Sequence, residues 1–328
     1  MSAVTSPSTY PANWPLQFGV VVPTYNPGLE AWAQWVQALQ SQNCKPMQVV
    51  VVDSGSTDGS VGLSQQAGFT VLHTQAQDFN HGATRQWAVN QTFINTEPKP
   101  NFIVFLTQDA ILASPNALAE LLQAFQDPKV AAAYGRQLPK PQAHWLEAHT
   151  RAFNYPEASR TVQLQDKASL GIKVCFLSNS FAAFRLQALM QQGGFPAHLP
   201  LGEDTYMAAK LLLSGQSLRY QASAQVYHSH NYNGLQDFQR MFDTGVFHAQ
   251  NPWLLQNFGT AEGEGAKLVR SQWQALKQQP HFVSSLFQWL FTNALKLLGY
   301  KLGRAYQWLP RALVKKFAMN KVFWQQHT

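Results

Sequence analysis

The sequence has little of what a disulfide-stabilised or zinc-stabilised protein needs. Its 328 residues include only two cysteines, Cys44 and Cys175. Two cysteines are too few for a disulfide framework, and these two do not form a pair with short ligand spacing. Reduced thiols are therefore expected, as in a cytosolic protein.

Charged residues are scarce, at 12% of the chain, and they are unevenly distributed. Residues 1–263 carry 14 basic against 16 acidic side chains, whereas residues 264–328 carry 10 basic side chains against the single acid Glu264. Because the larger part is slightly acidic, the net charge of +7 does not indicate a nucleic-acid-binding fold. We expect no nucleic-acid partner.

A long apolar run is also missing. The most apolar stretch, 282–298, contains serine, glutamine, threonine, asparagine and lysine, so it falls short of the roughly 20 predominantly apolar residues of a spanning helix. Residues 1–15 have neither the basic region nor the apolar core of a secretory signal. We therefore expect no secretion, and the Ser, Thr and Pro content of these residues predicts a flexible N-terminal arm.

Short β-rich apolar segments alternate with helical patterns in the first half of the chain, which predicts an α/β fold with crossover helices. The valine runs near 18–23 and 49–53 indicate strands buried on both faces. Ligands are then expected at the carboxyl ends of the strands. We predict a catalytic domain at 16–234 and an amphipathic helical region at 235–328. Strands are predicted at 18–23, 49–53, 70–73, 102–106, 130–134 and 225–228, helices at 29–39, 61–67, 84–93, 116–125, 144–153 and 203–213, and two or three helices within 235–325.

Two turn segments follow the first two strands. In the second segment, the Asp53 carboxylate can accept hydrogen bonds from a ribose or a pyrimidine N–H, and Gly55 lets the backbone approach a ligand closely. A helix-capping turn, with Asp58 or Thr57 as the cap, explains this segment about equally well. The chain lacks a Gly-x-Gly-x-x-Gly spacing, which counts against a dinucleotide-binding fold. The first segment consists of Pro23, Thr24, Tyr25 and Asn26.

Acidic and basic groups at the next strand end and helix start indicate phosphate chemistry. Asp109 lies just beyond a predicted strand and can hold a divalent cation that neutralises a leaving diphosphate; the alternative is an Asp that caps the following helix. Asp78, Asn80, His81 and Arg85 precede or open a helix, where N–H groups and a guanidinium suit a phosphate or a sugar hydroxyl. The alternative is an Asn cap with a solvated arginine.

Two further pairs of polar residues lie in the second half of the chain. Glu203 and Asp204 open a predicted helix, where a carboxylate can act as a general base, although both acids could simply complement the helix dipole. His228 and His230 are two residues apart on an extended segment, so both can reach one metal ion or diphosphate. No third His or Cys at short spacing supports a zinc hydrolase.

These motifs together, in this order over residues 19–232, resemble glycosyltransferase family 2. The segments Phe79-Asn80-His81-Gly82 and Thr107-Gln108-Asp109-Ala110, with His228-Ser229-His230, are similar to the bacterial rhamnosyltransferase branch. A segment around Asn179 matches the acceptor side less specifically. Most family members have Asp-x-Asp where this chain has Gln108 and Asp109, so fewer carboxylates would hold the metal.

The resemblance implies a GT-A fold, an α/β Rossmann-like mixed and mostly parallel sheet flanked by helices, with a C-terminal helical extension. It implies an inverting transfer in which Asp204 is the base and Glu203 orients the acceptor or the helix. It also implies a nucleotide-sugar donor, dTDP-L-rhamnose, a glycan or lipid-linked oligosaccharide acceptor, and Mg²⁺ or Mn²⁺ held by Asp109, His228 and His230. The donor-binding residues that the resemblance implies are Pro23, Thr24, Tyr25, Asn26, Asp53, Gly55, Asp78, Asn80, His81, Arg85 and Gln108.

Other functions remain open at this point. A sugar nucleotidyltransferase would share the layout, but it normally has a Gly-rich loop with Arg and Lys after the first strand, which this chain lacks. A non-catalytic sugar-nucleotide or glycan-binding protein would keep the fold without turnover, and a family 2 transferase could use a different sugar nucleotide.

The basic C-terminal region also interleaves many aromatic residues, among them Trp289, Tyr300 and Trp308. Its amphipathic helices could pack on their own domain. Alternatively, basic groups and interfacial aromatics suit peripheral binding to an anionic membrane, here the cytoplasmic face of the cell membrane.

Overall fold

A computed structural model describes residues 17–326, so the predicted arm at 1–15 lies outside the described residues. The described part contains nine strands in one sheet and fourteen α-helices. The strands β1 to β9 are Phe18–Thr24, Gln48–Asp53, Thr70–His73, Phe102–Leu106, Ile111–Leu112, Val130–Leu138, Arg160–Val162, Phe181–Arg185 and Ser217–Tyr227. The helices α1 to α14 are Leu29–Gln40, Ser60–Gln66, His81–Thr92, Ala117–Gln123, Trp145–Asn154, Lys167–Leu170, Leu186–Gln191, Glu203–Leu213, Gly234–Gln250, Pro252–Phe258, Glu262–Leu276, Phe282–Arg304, Arg311–Phe317 and Lys321–Gln326.

The sheet is mixed, in the strand order β3-β2-β1-β4-β8-β6-β9-β5, with β7 beside β9. The first four strands are parallel, as predicted. The sequence-based prediction missed β8, which lies antiparallel between β4 and β6. Within residues 17–326, four of the eight strand pairings are antiparallel, so the parallel share of the sheet is smaller than predicted. The predicted strand at 225–228 is only the end of the longer β9.

Helices cover both faces of the sheet, which confirms the predicted double burial of the valine-rich strands. Every residue of β1 is buried. On one face, α1 contributes Trp32 and Trp35 to the core and α4 contributes Leu118. On the other face, Val89 of α3 and Met207 of α8 lie in a second core. The carboxyl ends of β1, β2 and β4 therefore share one edge between the two helix layers.

Up to residue 326 the C-terminal region contains six helices, α9 to α14, so the prediction of two or three was wrong. Asn251 ends α9, Pro252 occupies the first turn of α10, and Gly259 ends α10 with a φ of 89°. The long helix α12 lies against α9, and the glycines Gly299 and Gly303 face the α9 backbone at Phe238 and Phe242. Between residues 17 and 326, no helix is both long enough and apolar enough to cross a membrane.

Candidate active site

The turns after β1 and β2 lie side by side at the carboxyl edge of the sheet, with Thr24 paired to Asp53. Asp53 is buried, and its carboxylate accepts hydrogen bonds from the backbone N–H groups of Gly55 at 2.9 Å and Ser56 at 3.1 Å. These bonds shape the second turn. The N-cap of α2 is Gly59, without a side-chain cap hydrogen bond, rather than Asp58 or Thr57 as the capping alternative expects. Gly55 has a φ of 94°, which a side chain would make unfavourable.

Polar side chains join the two turns. The side chain of Asn26 accepts from Thr57 N–H at 2.8 Å, and Asn26 N–H donates to Ser56 Oγ at 2.8 Å. Pro23 and Thr24 are buried, whereas the Tyr25 and Asn26 side chains are exposed above this edge. The predicted first and second donor segments therefore form one surface. The sequence did not single out Ser56, because a serine in a turn carries no distinctive signal.

Gln108, just beyond the end of β4, is hydrogen-bonded to the same surface. Its side-chain Oε1 accepts from Tyr25 N–H at 2.7 Å, and its Nε2 donates to Tyr25 C=O at 3.2 Å. An aspartate at this position could accept but could not donate. Gln108, which replaces the first Asp of Asp-x-Asp, thus makes two hydrogen bonds to the Tyr25 backbone that hold this loop in place.

Asp109, His228 and His230 form a compact group that could hold a divalent cation. Their ligand atoms lie within 4.8 Å of one another. The Nε2 atoms of His228 and His230 are 3.3 Å and 3.5 Å from the same Asp109 Oδ2. One carboxylate oxygen and two imidazole nitrogens are a suitable donor set for a first-row divalent metal. The two histidines do face the same side, as their spacing predicts.

The electrostatics of this group favour ligation. Burial alone would raise the pKa of Asp109, but the hydrogen bond and charge of His228, with His230, hold that pKa well below its usual range. Burial and the neighbouring His228 lower the pKa of His230 to about 4. Near neutral pH the group therefore offers an ionised carboxylate and a neutral His230 imidazole, the forms that bind metals.

Glu203 and Asp204 begin α8 but have different surroundings. Glu203 is buried, and its Oε1 accepts from Arg85 Nη1 at 3.0 Å and from Asn179 Nδ2 at 3.1 Å. Asp204 is partly exposed, and its Oδ2 accepts from Asn179 N–H at 3.2 Å. Burial, followed by the negative charge of Glu203, raises the pKa of Asp204 to about 6. Asn179 thus contacts both acids.

In the segment at the start of α3, Asn80 and Arg85 contact other parts of the protein instead of facing a donor site. Asn80 caps α3 by accepting from Gly82 and Ala83 N–H, and its Nδ2 donates to Leu199 C=O. Arg85 is buried against Glu203 rather than turned toward a phosphate. Both polar groups are thus engaged inside the protein, as the Asn-cap alternative proposes for Asn80.

The other two residues of this segment have contrasting environments. Burial lowers the pKa of His81 to about 4, and Asp78 lies exposed at the end of a short turn, Ala76–Asp78. Of this segment, Asp78 is therefore the side chain that solvent reaches most freely.

Comparison with known proteins agrees with this architecture. Residues 19–193 match the sequence profile described as Glycosyl transferase family 2. The chain is 44% identical over 308 residues to the O-antigen chain rhamnosyltransferase WbaN of Salmonella anatum, covering 94% of this chain and 95% of that protein. It is 43% identical over 311 residues to the O-antigen chain rhamnosyltransferase RfbN of Salmonella typhimurium, covering 94% and 96%.

Solved structures share the fold at low sequence identity. The mannosyltransferase PcManGT from Pyrobaculum calidifontis, in complex with GDP-Man and Mn²⁺, matches with a TM-score of 0.56 and 17% identity over 88% of this chain and 87% of that chain. S. aureus TarS 1-349 in complex with UDP-GlcNAc matches with a TM-score of 0.54 and 15% identity over 95% and 92%. The fold is the predicted GT-A fold, and the chain is a glycosyltransferase that belongs to family 2.

Proposed function

We propose that the protein is an inverting rhamnosyltransferase that transfers L-rhamnose from dTDP-L-rhamnose to a lipid-linked bacterial glycan. Two relatives at 44% and 43% identity over nearly the whole chain are named O-antigen chain rhamnosyltransferases, which supports this sugar and this acceptor class. The structural observation that carries the proposal is the position of Asp204, a partly exposed residue at the start of α8 whose carboxyl pKa of about 6 suits a base at neutral pH.

Asp204 accepts the proton of the acceptor hydroxyl as that oxygen attacks the anomeric carbon. The new C–O bond forms on the face opposite the leaving group, the bond from carbon to the phosphate oxygen breaks, and the nucleoside diphosphate leaves with the electron pair. Glu203 and Asn179 orient Asp204, because Asn179 donates hydrogen bonds to both acids. The turns around Tyr25, Asn26 and Asp53 would hold the nucleoside, and exposed Asp78 would reach the donor sugar.

Asp109, His228 and His230 would hold the divalent cation, which neutralises negative charge on the diphosphate when it is bound. Two imidazoles beside one carboxylate suit Mn²⁺ better than Mg²⁺, which prefers oxygen ligands. A protein that only binds sugar nucleotides would not need Asp204, and Gln108 does not argue for that alternative because its bonds to Tyr25 give it a different task.

We also propose that the protein acts while bound peripherally to the cytoplasmic face of the cell membrane. One face of α12 exposes six large apolar side chains that fall within an arc of about 120° and extend for roughly 22 Å along the helix. We call these residues the α12 stripe: Val283, Phe287, Leu290, Phe291, Leu297 and Leu298. The opposite face, with Thr292 and Gly299, is buried.

Charge and aromatic residues beside the α12 stripe favour a lipid surface as its partner. Lys301 and Arg304 occupy the last turn of α12, and the side chain of Trp308 just beyond it is 88% exposed. Basic groups contribute about 1 kcal/mol each near an anionic leaflet, and indole rings prefer the interface. An acceptor attached to a lipid would be presented at the same surface.

The catalytic proposal is tested by measuring nucleoside diphosphate release from a panel of sugar nucleotides, with a lipid-linked glycan acceptor, and with or without EDTA. We expect dTDP-L-rhamnose to give the highest kcat/KM, EDTA to abolish turnover, and the product to have the inverted anomeric configuration by NMR. A higher kcat/KM with another sugar nucleotide would reject the donor, and full activity in excess EDTA would reject the cation.

A further inference from the structure

A buried glutamine lies behind the candidate cation ligands. Gln137, near the end of β6, is 2% exposed. Its side-chain Oε1 is 2.9 Å from Nδ1 of His228 and also accepts a hydrogen bond from Arg151 Nη1. Its Nε2 donates to Ser178 Oγ at 3.0 Å. None of the sequence motifs includes Gln137.

The partners of Gln137 determine which way its amide faces. A guanidinium can only donate hydrogen bonds, so the atom beside Arg151 must be the amide oxygen. An amide oxygen can only accept, so the His228 nitrogen beside it must carry a hydrogen. Nε2 of His228 faces Asp109 and donates to it while the ring is charged. When the ring loses that proton and keeps the hydrogen on Nδ1, Nε2 has a free lone pair.

We propose that Gln137 is a positioning residue that keeps the hydrogen of His228 on Nδ1 and so leaves Nε2 free to bind the cation. The inference rests on the cation site of the proposed function. A hydrogen bond between a metal-binding histidine and a neighbouring acceptor commonly sets the ring's tautomer and orientation.

This control is necessary because Asp109 favours the opposite tautomer. A carboxylate is a stronger acceptor than an amide oxygen. Without Gln137, a neutral His228 would place its hydrogen on Nε2 and donate it to Asp109, 3.3 Å away. That hydrogen would occupy the position from which Nε2 binds a metal, and it would have to move before the cation could bind.

Two residues of helix α5, Glu147 and Arg151, help to hold both histidines in place through hydrogen bonds. Arg151 donates to Gln137 and is itself held by Glu147, with Nε 2.7 Å from Glu147 Oε1. The same Glu147 oxygen accepts from the backbone N–H of His230 at 3.3 Å. Arg151 therefore fixes the amide that orients His228, while Glu147 fixes the backbone of His230.

The nitrogen of the Gln137 amide contacts the segment that positions Asp204, the proposed base. Nε2 of Gln137 holds Ser178, and the next residue, Asn179, donates its backbone N–H to Asp204. One buried side chain thus links the group that would hold the cation to the segment that positions Asp204.

The test compares Gln137→Leu with Gln137→Glu, which keeps an oxygen beside His228. The matched control is Gln221→Leu, since Gln221 is a glutamine on β9 that accepts from Arg219 at 3.0 Å and donates to Ser223 at 2.9 Å without contacting either histidine. Mn²⁺ affinity is measured by EPR of free Mn²⁺ without donor. The protonated nitrogen of His228 is identified in the metal-free protein by long-range ¹H–¹⁵N NMR, with His228→Asn assigning the signal.

We expect a hydrogen on Nδ1 in the wild type, the Gln137→Glu variant and the control. We expect it to move to Nε2 in Gln137→Leu, whose Mn²⁺ affinity should fall by about 10- to 100-fold, the usual effect of removing such a partner. Gln137→Glu should bind Mn²⁺ within a few-fold of wild type.

Two results would overturn the inference: a wild-type His228 without a hydrogen on Nδ1, or a Gln137→Leu variant that keeps both that hydrogen and wild-type Mn²⁺ affinity. A wild type that does not bind Mn²⁺ would reject the proposed cation site instead. The NMR comparison, which needs no metal, would then still decide the role of Gln137. If Gln137→Leu does not fold, loss of the Nδ1 hydrogen in Gln137→Glu would overturn the inference.

Discussion

The guanidinium Nη1 of Arg85 lies 3.0 Å from the carboxylate Oε1 of Glu203, and both side chains are almost fully buried. Arg85 and the nearby His81 lower the pKa of Glu203, although burial opposes them. Glu203 therefore stays ionised beside Asp204, and its charge adds to the effect of burial in raising the pKa of Asp204. A buried ion pair thus makes the neighbouring carboxylate a better proton acceptor.

The first prediction concerns Asp204 as the general base. The Asp204→Asn variant removes the proton acceptor while keeping the size of the side chain. We expect turnover to fall by at least about 100-fold, the scale of general base catalysis, with donor binding measured by calorimetry nearly unchanged. Asp166→Asn is the control, because Asp166 accepts from Gln163 N–H in a capping box and is not part of the site. Near wild-type turnover in Asp204→Asn would show that another group is the base.

The second prediction is a pH profile. The base must be ionised, and because the pKa of Asp204 is raised to about 6, kcat/KM should fall as the pH drops through 6. Roughly a tenth of the Asp204 carboxyls remain ionised at pH 5, so activity there should be about a tenth of its plateau. Replacing Glu203 by Gln removes a negative neighbour and should move the acidic limb to lower pH.

The control for the pH profile is Glu157→Gln, because Glu157 is an exposed acid paired with Arg136. That variant should keep the wild-type limb. A limb that lies at the same pH in wild type and Glu203→Gln would show that Glu203 does not influence the titrating group.

Local patterns were sufficient to predict the strands whose sequence alone favours burial. The valine-rich β1 and β2 were located to within a residue or so, and so was the edge at which their turns meet. The strand β8, Phe181–Arg185, was missed because its two alanines have little intrinsic β preference. It is stabilised by strands on both sides, β4 and β6, which are distant in sequence.

In the site, too, local sequence predicted some features, whereas contacts between residues distant in sequence were not apparent from it. The spacing of His228 and His230 predicts that they face one way, and the structure places both beside Asp109. Contacts such as Gln137 with His228 join residues 91 positions apart, and neither residue's immediate neighbours indicate the pairing. Arg85 carried a plausible phosphate-binding pattern, but its buried partner Glu203, 118 positions away, was not apparent from local sequence.

The third prediction concerns the packing of α12 on α9. A methyl group added at Gly303 would overlap the carbonyl oxygen of Phe242, which is part of the helix backbone and cannot move aside easily. We expect Gly303→Ala to lower the free energy of unfolding by about 1–3 kcal/mol in urea titrations. Gly263 in α11 is the matched control, because its added methyl group would meet open space. Gly263→Ala should raise stability by about 0.5–1 kcal/mol, and equal effects of the two variants would contradict the packing argument.

The last prediction is that the α12 stripe and the adjoining basic groups bind anionic membranes. Phe287→Ser with Phe291→Ser removes both aromatic rings of the stripe without altering the buried face of α12. In sedimentation with anionic vesicles at low salt, we expect the wild type to pellet and this double variant to pellet at least several-fold less. High salt or neutral vesicles should weaken wild-type binding, because the basic groups act through screened charge. Met47→Ser, which alters an exposed apolar side chain outside the stripe, is the control and should behave like wild type. Negligible pelleting of all three proteins at low salt would reject the membrane surface, and undiminished pelleting of the double variant would show that another surface of the protein binds the vesicles.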